Sequence, residues 1–128
     1  MLDKEEYKLH REKIAQNMAE KSVLVLFAGK KPEFKCAPNK NFYYATGIEE
    51  SDDICFIIKD KALKSQLLIS EYDEFKAKWV GRGLNKEEAF EISGIEEIDY
   101  LNSFNRRLDY FIETGYIIYF DFIFISLG

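Results

Sequence analysis

Hydrophobic and polar positions at the start of the chain follow a helical period. Over residues 3–21, apolar and aromatic side chains recur at steps of three and four among charged ones, which predicts an amphipathic helix. Asp3 precedes this pattern as an N-cap residue, and Glu6 three positions later completes the pattern of a capping box. The side chains on the predicted buried face are Tyr7, His10, Ile14 and Met18.

Four later runs have the patterns of strands. Residues 22–28 are almost continuously apolar and end at Gly29, which predicts a central strand covered on both faces. Residues 42–46, 54–59 and 65–70 are joined by short polar links, so we expect three neighbouring antiparallel strands. These runs together predict a meander beside the central strand.

The second half of the chain mixes helical and strand patterns. Residues 74–80 have helix-forming composition, and Asn85 followed by Glu88 predicts a second capped helix. A brief strand is expected at residues 96–99, and the apolar run at residues 116–127 predicts a final buried strand, too short to span a membrane. Between them a helix is indicated by apolar spacing at Leu101, Phe104, Leu108 and Phe111.

The order of these elements predicts an α/β fold with a mixed β-sheet flanked by helices. A chain of 128 residues fits one domain, so we expect residues 1–128 to form a single unit. The 47% hydrophobic content, with eleven Phe and eight Tyr, favours a packed core over disorder.

Charge and cysteine content exclude several classes of protein. The net charge of -5, with signs interleaved along the chain, disfavours binding to nucleic acid. Two cysteines without C-x-x-C spacing and one histidine disfavour a zinc site. No apolar signal segment is visible at the N-terminus, so we expect a cytoplasmic protein with free thiols and no membrane partner.

An acidic turn follows the aromatic run at residues 42–46. Glu49, Glu50, Asp52 and Asp53 carry the oxygen ligands that Mg²⁺, Mn²⁺ and Ca²⁺ prefer. Neighbouring residues of a turn generally point apart, however, and the calcium-loop spacing is absent. The sequence therefore favours a solvated turn here, and no metal or catalytic residue is predicted.

The aromatic run itself has two interpretations, packing or contact with another protein. On the strand period, one set of its side chains should be core. The two sets are Phe42, Tyr44 and Thr46 on one face, and Tyr43 and Ala45 on the other.

Two sequence blocks carry a family resemblance. Residues 41–50 read Asn-Phe-Tyr-Tyr-Ala-Thr-Gly-Ile-Glu-Glu, and Asp73 is followed by Trp79-Val80-Gly81-Arg82. Both blocks resemble the N-terminal domain of Xaa-Pro aminopeptidases and of the wider creatinase and prolidase group. The resemblance implies a sheet topology related to the ribonuclease H-like arrangement.

The resemblance also implies an accessory role. The catalytic unit of such enzymes is a separate pita-bread domain, which residues 1–128 would lack. The parent enzyme would remove an N-terminal residue preceding proline, using two divalent metals, often manganese, bound by that other domain. The chain would then hold no cofactor, and would serve homodimer assembly and access to the catalytic cleft. The residues implied in cleft or subunit contacts are Tyr43, Tyr44, Trp79 and Arg82.

Two alternatives belong to other functional classes. The chain could be a stand-alone binding or assembly module. It could also be a metal-dependent nuclease of the ribonuclease H-like kind, with carboxylates at Asp53, Asp73 and Asp121, although the acidic charge disfavours this.

Overall fold

The structure is a computed structural model that describes residues 3–29, 40–71 and 83–121. Within these ranges five strands form one sheet in the order β4-β3-β2-β1-β5. The strands are β1 (Ser22–Phe27), β2 (Ile54–Asp60), β3 (Ala62–Ile69), β4 (Glu97–Tyr100) and β5 (Ile117–Asp121).

The sheet is mixed, as the sequence predicts. β2 pairs antiparallel with both β1 and β3, which forms the expected meander. β5 pairs parallel with β1, and β4 pairs parallel with β3, so both edges are reached by crossover connections. The α/β class with a helix-flanked mixed sheet is confirmed.

Four α-helices flank the sheet in the described part of the chain. Asp3 caps the first helix by accepting from the Glu6 N–H at 3.1 Å, and Asn85 and Glu88 form a complete capping box at the third. Both caps agree with the sequence prediction. The helices are α1 (Lys4–Gln16), α2 (Lys40–Thr46), α3 (Lys86–Ser93) and α4 (Phe104–Glu113), with a 3₁₀ turn at Leu101–Ser103 before α4.

Two hydrophobic layers lie on the two faces of the sheet. Alternate residues of β1 and β2 face opposite layers, as the strand period requires. Helices α1, α2 and α3 cover one face, where the fully buried side chains include Leu26, Phe42, Ile57 and Ala89. Helix α4 covers the other face, where they include Val25, Phe56 and Leu68, with Phe111 nearly buried.

The expected strand at residues 42–46 is wrong, because these residues form helix α2. Its buried residues are Phe42, Ala45 and Thr46, which lie on one side of a helix at steps of three and four. A strand would have placed Ala45 opposite the other two. The meander therefore consists of β1, β2 and β3.

Several boundaries also differ from the prediction. Helix α1 ends at Gln16 rather than near residue 21, and only Lys61 separates β2 from β3. β5 is an exposed edge strand rather than a buried one, because it pairs only with β1. Three of its side chains are 43–49% exposed: Ile117, Tyr119 and Phe120.

The helix expected at residues 74–80 lies outside the described residues. So do Trp79 and Arg82, two of the four candidate contact residues. Among the described helices, none is long and apolar enough to cross a membrane.

Candidate functional site

The C-terminal end of α2 satisfies its first two free carbonyls within its own turn. The Thr46 hydroxyl donates to the Phe42 carbonyl at 2.9 Å and accepts from the Ile48 N–H at 3.1 Å. The Gly47 N–H donates to the Tyr43 carbonyl at 2.8 Å. Because a helix leaves its last carbonyls unpaired, Thr46 and Gly47 close this end.

Helix α1 satisfies the next two carbonyls. The Arg11 guanidinium donates to the Ala45 carbonyl at 2.9 Å, and His10 Nδ1 lies 2.7 Å from the Tyr44 carbonyl oxygen. A carbonyl only accepts, so this nitrogen of His10 carries the hydrogen. The same Arg11 nitrogen also donates to the Ser93 carbonyl at the end of α3, at 2.8 Å. Arg11 is 3% exposed, and it therefore joins the ends of two helices inside the protein.

The end of α3 repeats the arrangement at the end of α2. The Ser93 hydroxyl donates to the Ala89 carbonyl at 2.7 Å and accepts from the Ile95 N–H at 3.1 Å. Gly94 adopts a left-handed backbone with φ of 76°. The sequence signal is a hydroxyl residue, Gly and Ile in succession, which occurs at residues 46–48 and 93–95.

Gly47 is required by both backbone and packing. Its φ is +73°, a conformation that residues with a Cβ rarely adopt. A Cβ at this position would also lie 2.4 Å from Cε2 of Tyr7. The buried Tyr7 ring therefore packs directly on the turn that follows α2.

Tyr43 and Tyr44 are both exposed on α2, where we name them, with His10, the tyrosine surface. Each tyrosine is 39% exposed. The Tyr44 ring stacks on His10 with centroids 3.9 Å apart and planes 2° from parallel. The Tyr43 ring meets the edge of Tyr7 at 6.3 Å. Burial and a hydrogen bond with Tyr43 raise the pKa of Tyr7 to about 12, so its hydroxyl stays protonated near neutrality.

The acidic turn is not uniformly solvated, contrary to the sequence expectation. Asp52 and Glu49 are exposed, but Asp53 is fully buried at the start of β2. Its backbone carbonyl accepts from the Ala28 N–H at 2.9 Å, which extends the β1–β2 pairing and draws the side chain inward. Glu50 accepts from the Leu84 N–H at 2.7 Å.

Carboxylates of the nuclease alternative do not form a metal site within the described ranges. Asp121 on β5 accepts from the Asn41 amide at 2.8 Å, while Asp53 is buried at the end of the β1–β2 pair. Asp73 lies outside the described residues. In residues 3–29, 40–71 and 83–121, no group of three or more His, Cys, Asp or Glu side chains could hold a metal.

A groove of about 450 Å³ lies beside α1. Its charged rim mixes cations and anions, so it indicates no single class of ligand. The charged residues of the rim are Lys4, Glu5, Lys8, Lys64, Glu96 and Glu97, with the buried Arg11 behind them.

Residues 7–119 match the family model described as aminopeptidase P, N-terminal domain. Among curated proteins, Xaa-Pro aminopeptidase 3 of Dictyostelium discoideum is 31% identical over 99 residues, which cover 71% of this chain and 19% of that protein.

Solved structures give the same result. A Bacillus anthracis protein provisionally assigned as an aminopeptidase P superposes with a TM-score of 0.86 and 33% identity, covering 94% of this chain and 31% of its own. Aminopeptidase P from Escherichia coli, at 23% identity, covers 84% of this chain and 26% of its own with a TM-score of 0.72, which supports the fold. The chain thus spans less than a third of the length of these relatives.

Proposed function

Because the chain belongs to the aminopeptidase P N-terminal domain family, we propose that it is the accessory N-terminal unit of a metal-dependent Xaa-Pro aminopeptidase. The chain corresponds to 31% of the length of the Bacillus anthracis protein, which leaves room for a catalytic unit in the same parent chain. That unit would be the pita-bread domain, with two divalent metals, manganese among them. The 128 residues would not catalyse the reaction alone.

We place the role of this unit in subunit assembly and in shaping access to the catalytic cleft. The observation that carries this proposal is the tyrosine surface, which combines exposed rings with a fixed backbone. Tyr43 and Tyr44 are each 39% exposed, while Arg11 and His10 hold the carbonyls of the next turn. Rigid aromatic side chains lose little conformational entropy on binding, which suits them to a contact with another domain.

The contact would be made with a catalytic unit, either of the same parent chain or of the second subunit of a homodimer. Trp79 and Arg82 belong to this proposal through the family resemblance alone, because both lie outside the described residues. Tyr43 and Tyr44 are therefore the positions at which the proposal is tested.

A double substitution of the tyrosine surface tests this role. In the parent protein, Tyr43→Ser with Tyr44→Ser should weaken the contact, and either dissociate the dimer or lower kcat/KM for an Xaa-Pro peptide by about tenfold. Sedimentation and peptide hydrolysis measure the two effects. The matched control is Tyr110→Ser on α4, which is 57% exposed on the opposite face of the sheet. If the double variant keeps both the dimer and the activity of the control, the tyrosine surface has no such role.

The same surface also fits a stand-alone assembly module. This second function would be supported by a native gene product with the 15.1 kDa mass of the chain that forms a stable homodimer. In that case the double variant would be monomeric, and no peptidase would be associated with it.

A further inference from the structure

Two carboxyl groups meet inside the protein between α2 and β2. Asp53 is completely buried, and its side chain is in hydrogen-bonding contact with Glu50. In the described part of the chain, no N–H or O–H group is bonded to either carboxyl oxygen of Asp53 or to Oε1 of Glu50. The other oxygen of Glu50, Oε2, accepts from the Leu84 N–H at 2.7 Å. Three buried acceptor oxygens thus share one small space, which is costly unless a donor lies between them.

The charged groups around Asp53 do not supply a cation. Among the described residues, those that act on it are Glu50 and Asp52, which are both acidic. Burial raises the pKa of Asp53 to about 9, and the contact with Glu50 raises it in the same direction, while the Ser70 backbone opposes both. A buried carboxylate next to a second carboxylate favours the protonated form.

We propose that Glu50 and Asp53 share one proton at neutral pH, as a carboxylic acid and a carboxylate, and that this proton fixes the α2–β2 turn to the segment that enters α3. The Asp53 hydroxyl donates to Oε1 of Glu50, which gives a partner to an otherwise unpaired oxygen. Oε2 of Glu50 holds the Leu84 N–H on the other side of the contact. Two side chains and one proton therefore join two parts of the chain that are 34 residues apart.

A small divalent cation is the competing occupant of this space. Ca²⁺ takes six to eight oxygen ligands and Mg²⁺ requires near-octahedral geometry. Within the described residues, no group of three or more candidate side chains is available to such an ion. A proton requires only the two carboxyl groups that are present, so the geometry favours the proton.

The sign of the pH dependence follows from the raised pKa. An unfolded Asp ionises near its ordinary pKa of about 3.9, so between that pH and about 9 the folded state binds the extra proton. Stability should therefore fall as the pH rises through this window and level off above it. Loss of the proton would leave two adjacent buried negative charges and would loosen the turn.

Carboxyl-carbon NMR of the purified 128-residue chain tests the proposal directly. In a titration from about pH 4 to about pH 10, the pair should show one ionisation in the ordinary acidic range and a second well above neutrality. In Asp53→Asn, the second ionisation should be lost, and the pH-dependent fall of the urea midpoint should disappear with it. If both carboxyl groups of the wild-type chain ionise below about pH 5, the shared proton is refuted.

Two further arms separate the remaining explanations. Asp52→Asn is the matched control, because it removes an exposed charge from the same turn and should leave the high ionisation in place. Added Ca²⁺, Mg²⁺ or Mn²⁺ should leave the carboxyl resonances of the pair unchanged at neutral pH. A metal-dependent shift of the Asp53 resonance would overturn the proposal in favour of a cation site. Should Asp53→Asn fail to fold, the titration of the wild-type chain still decides.

Discussion

Replacing Arg11 by methionine should destabilise the protein more than any surface charge substitution. The Arg11 guanidinium is buried and donates to the Ala45 and Ser93 carbonyls, at 2.9 and 2.8 Å. Methionine keeps an unbranched apolar stem of similar length but donates no hydrogen bond. Two carbonyls at two helix ends would then remain buried without a donor.

The magnitude follows from these two carbonyls. A buried acceptor that loses its partner costs about 1–3 kcal/mol, so the two together cost about 2–6 kcal/mol. Removing the guanidinium returns part of this, because burial of the cation is itself unfavourable and lowers the pKa of Arg11. We therefore expect a loss of about 2–4 kcal/mol from the free energy of unfolding, a large share of the about 5–15 kcal/mol typical of a domain.

Urea unfolding measured by far-UV circular dichroism checks this value. With a typical slope of about 1–3 kcal/mol per molar urea, the midpoint of Arg11→Met should fall by about 1–2 M. The matched control is Arg106→Met, because the Arg106 side chain is 73% exposed and lies 3.7 Å from Asp99. The control should lose less than about 0.5 kcal/mol. Equal losses in the two variants would refute the view that Arg11 joins the two helix ends.

Two other predictions concern Gly47 and Cys55. Gly47→Ala should lose about 1–3 kcal/mol more stability than Gly29→Ala, since both glycines have a φ of +73° but only Gly47 would place its Cβ against Tyr7; equal urea midpoints would mean that the contact with Tyr7 is unimportant. Cys55 is fully buried, and burial raises the pKa of its thiol to about 12. In a Cys36→Ser variant, a thiol reagent should therefore react only after unfolding, and rapid reaction of the native protein would contradict the buried position.

Local signals in the sequence predicted most of the described elements. Asn85 and Glu88 form the expected capping box, and the spacing of Leu101, Phe104, Leu108 and Phe111 corresponds to the 3₁₀ turn and α4. The continuous apolar run of residues 22–28 became the central strand β1. These signals succeed because each depends on residues within one or two turns of each other.

Helix α2 could not be predicted in the same way. Its seven residues are rich in aromatic side chains, which favour strands, and they are too few to show a clear helical period. Its C-terminal carbonyls are held by His10 and Arg11, more than 30 residues earlier. Tertiary contacts therefore outweighed the local preference.

The position of Asp53 depends on tertiary structure as well. Its sequence neighbours are polar, which indicated a solvated turn, yet the pairing of β1 with β2 carries it inside. The exposure of Tyr43 and Tyr44 follows from the helical geometry of α2, in which Phe42, Ala45 and Thr46 take the buried side. The family resemblance identified these two tyrosines as candidate contact residues, but it did not provide their geometry.

The most direct test of the accessory role compares the native gene product with the isolated chain. An antibody raised against the chain should isolate a protein about three times larger than 15.1 kDa, given the 31% share of the Bacillus anthracis relative. With Mn²⁺ present, this product should release the N-terminal residue of an Xaa-Pro peptide, whereas the purified 128-residue chain should show no turnover. Turnover by the purified chain, or a native product of 15.1 kDa without peptidase activity, would contradict the account.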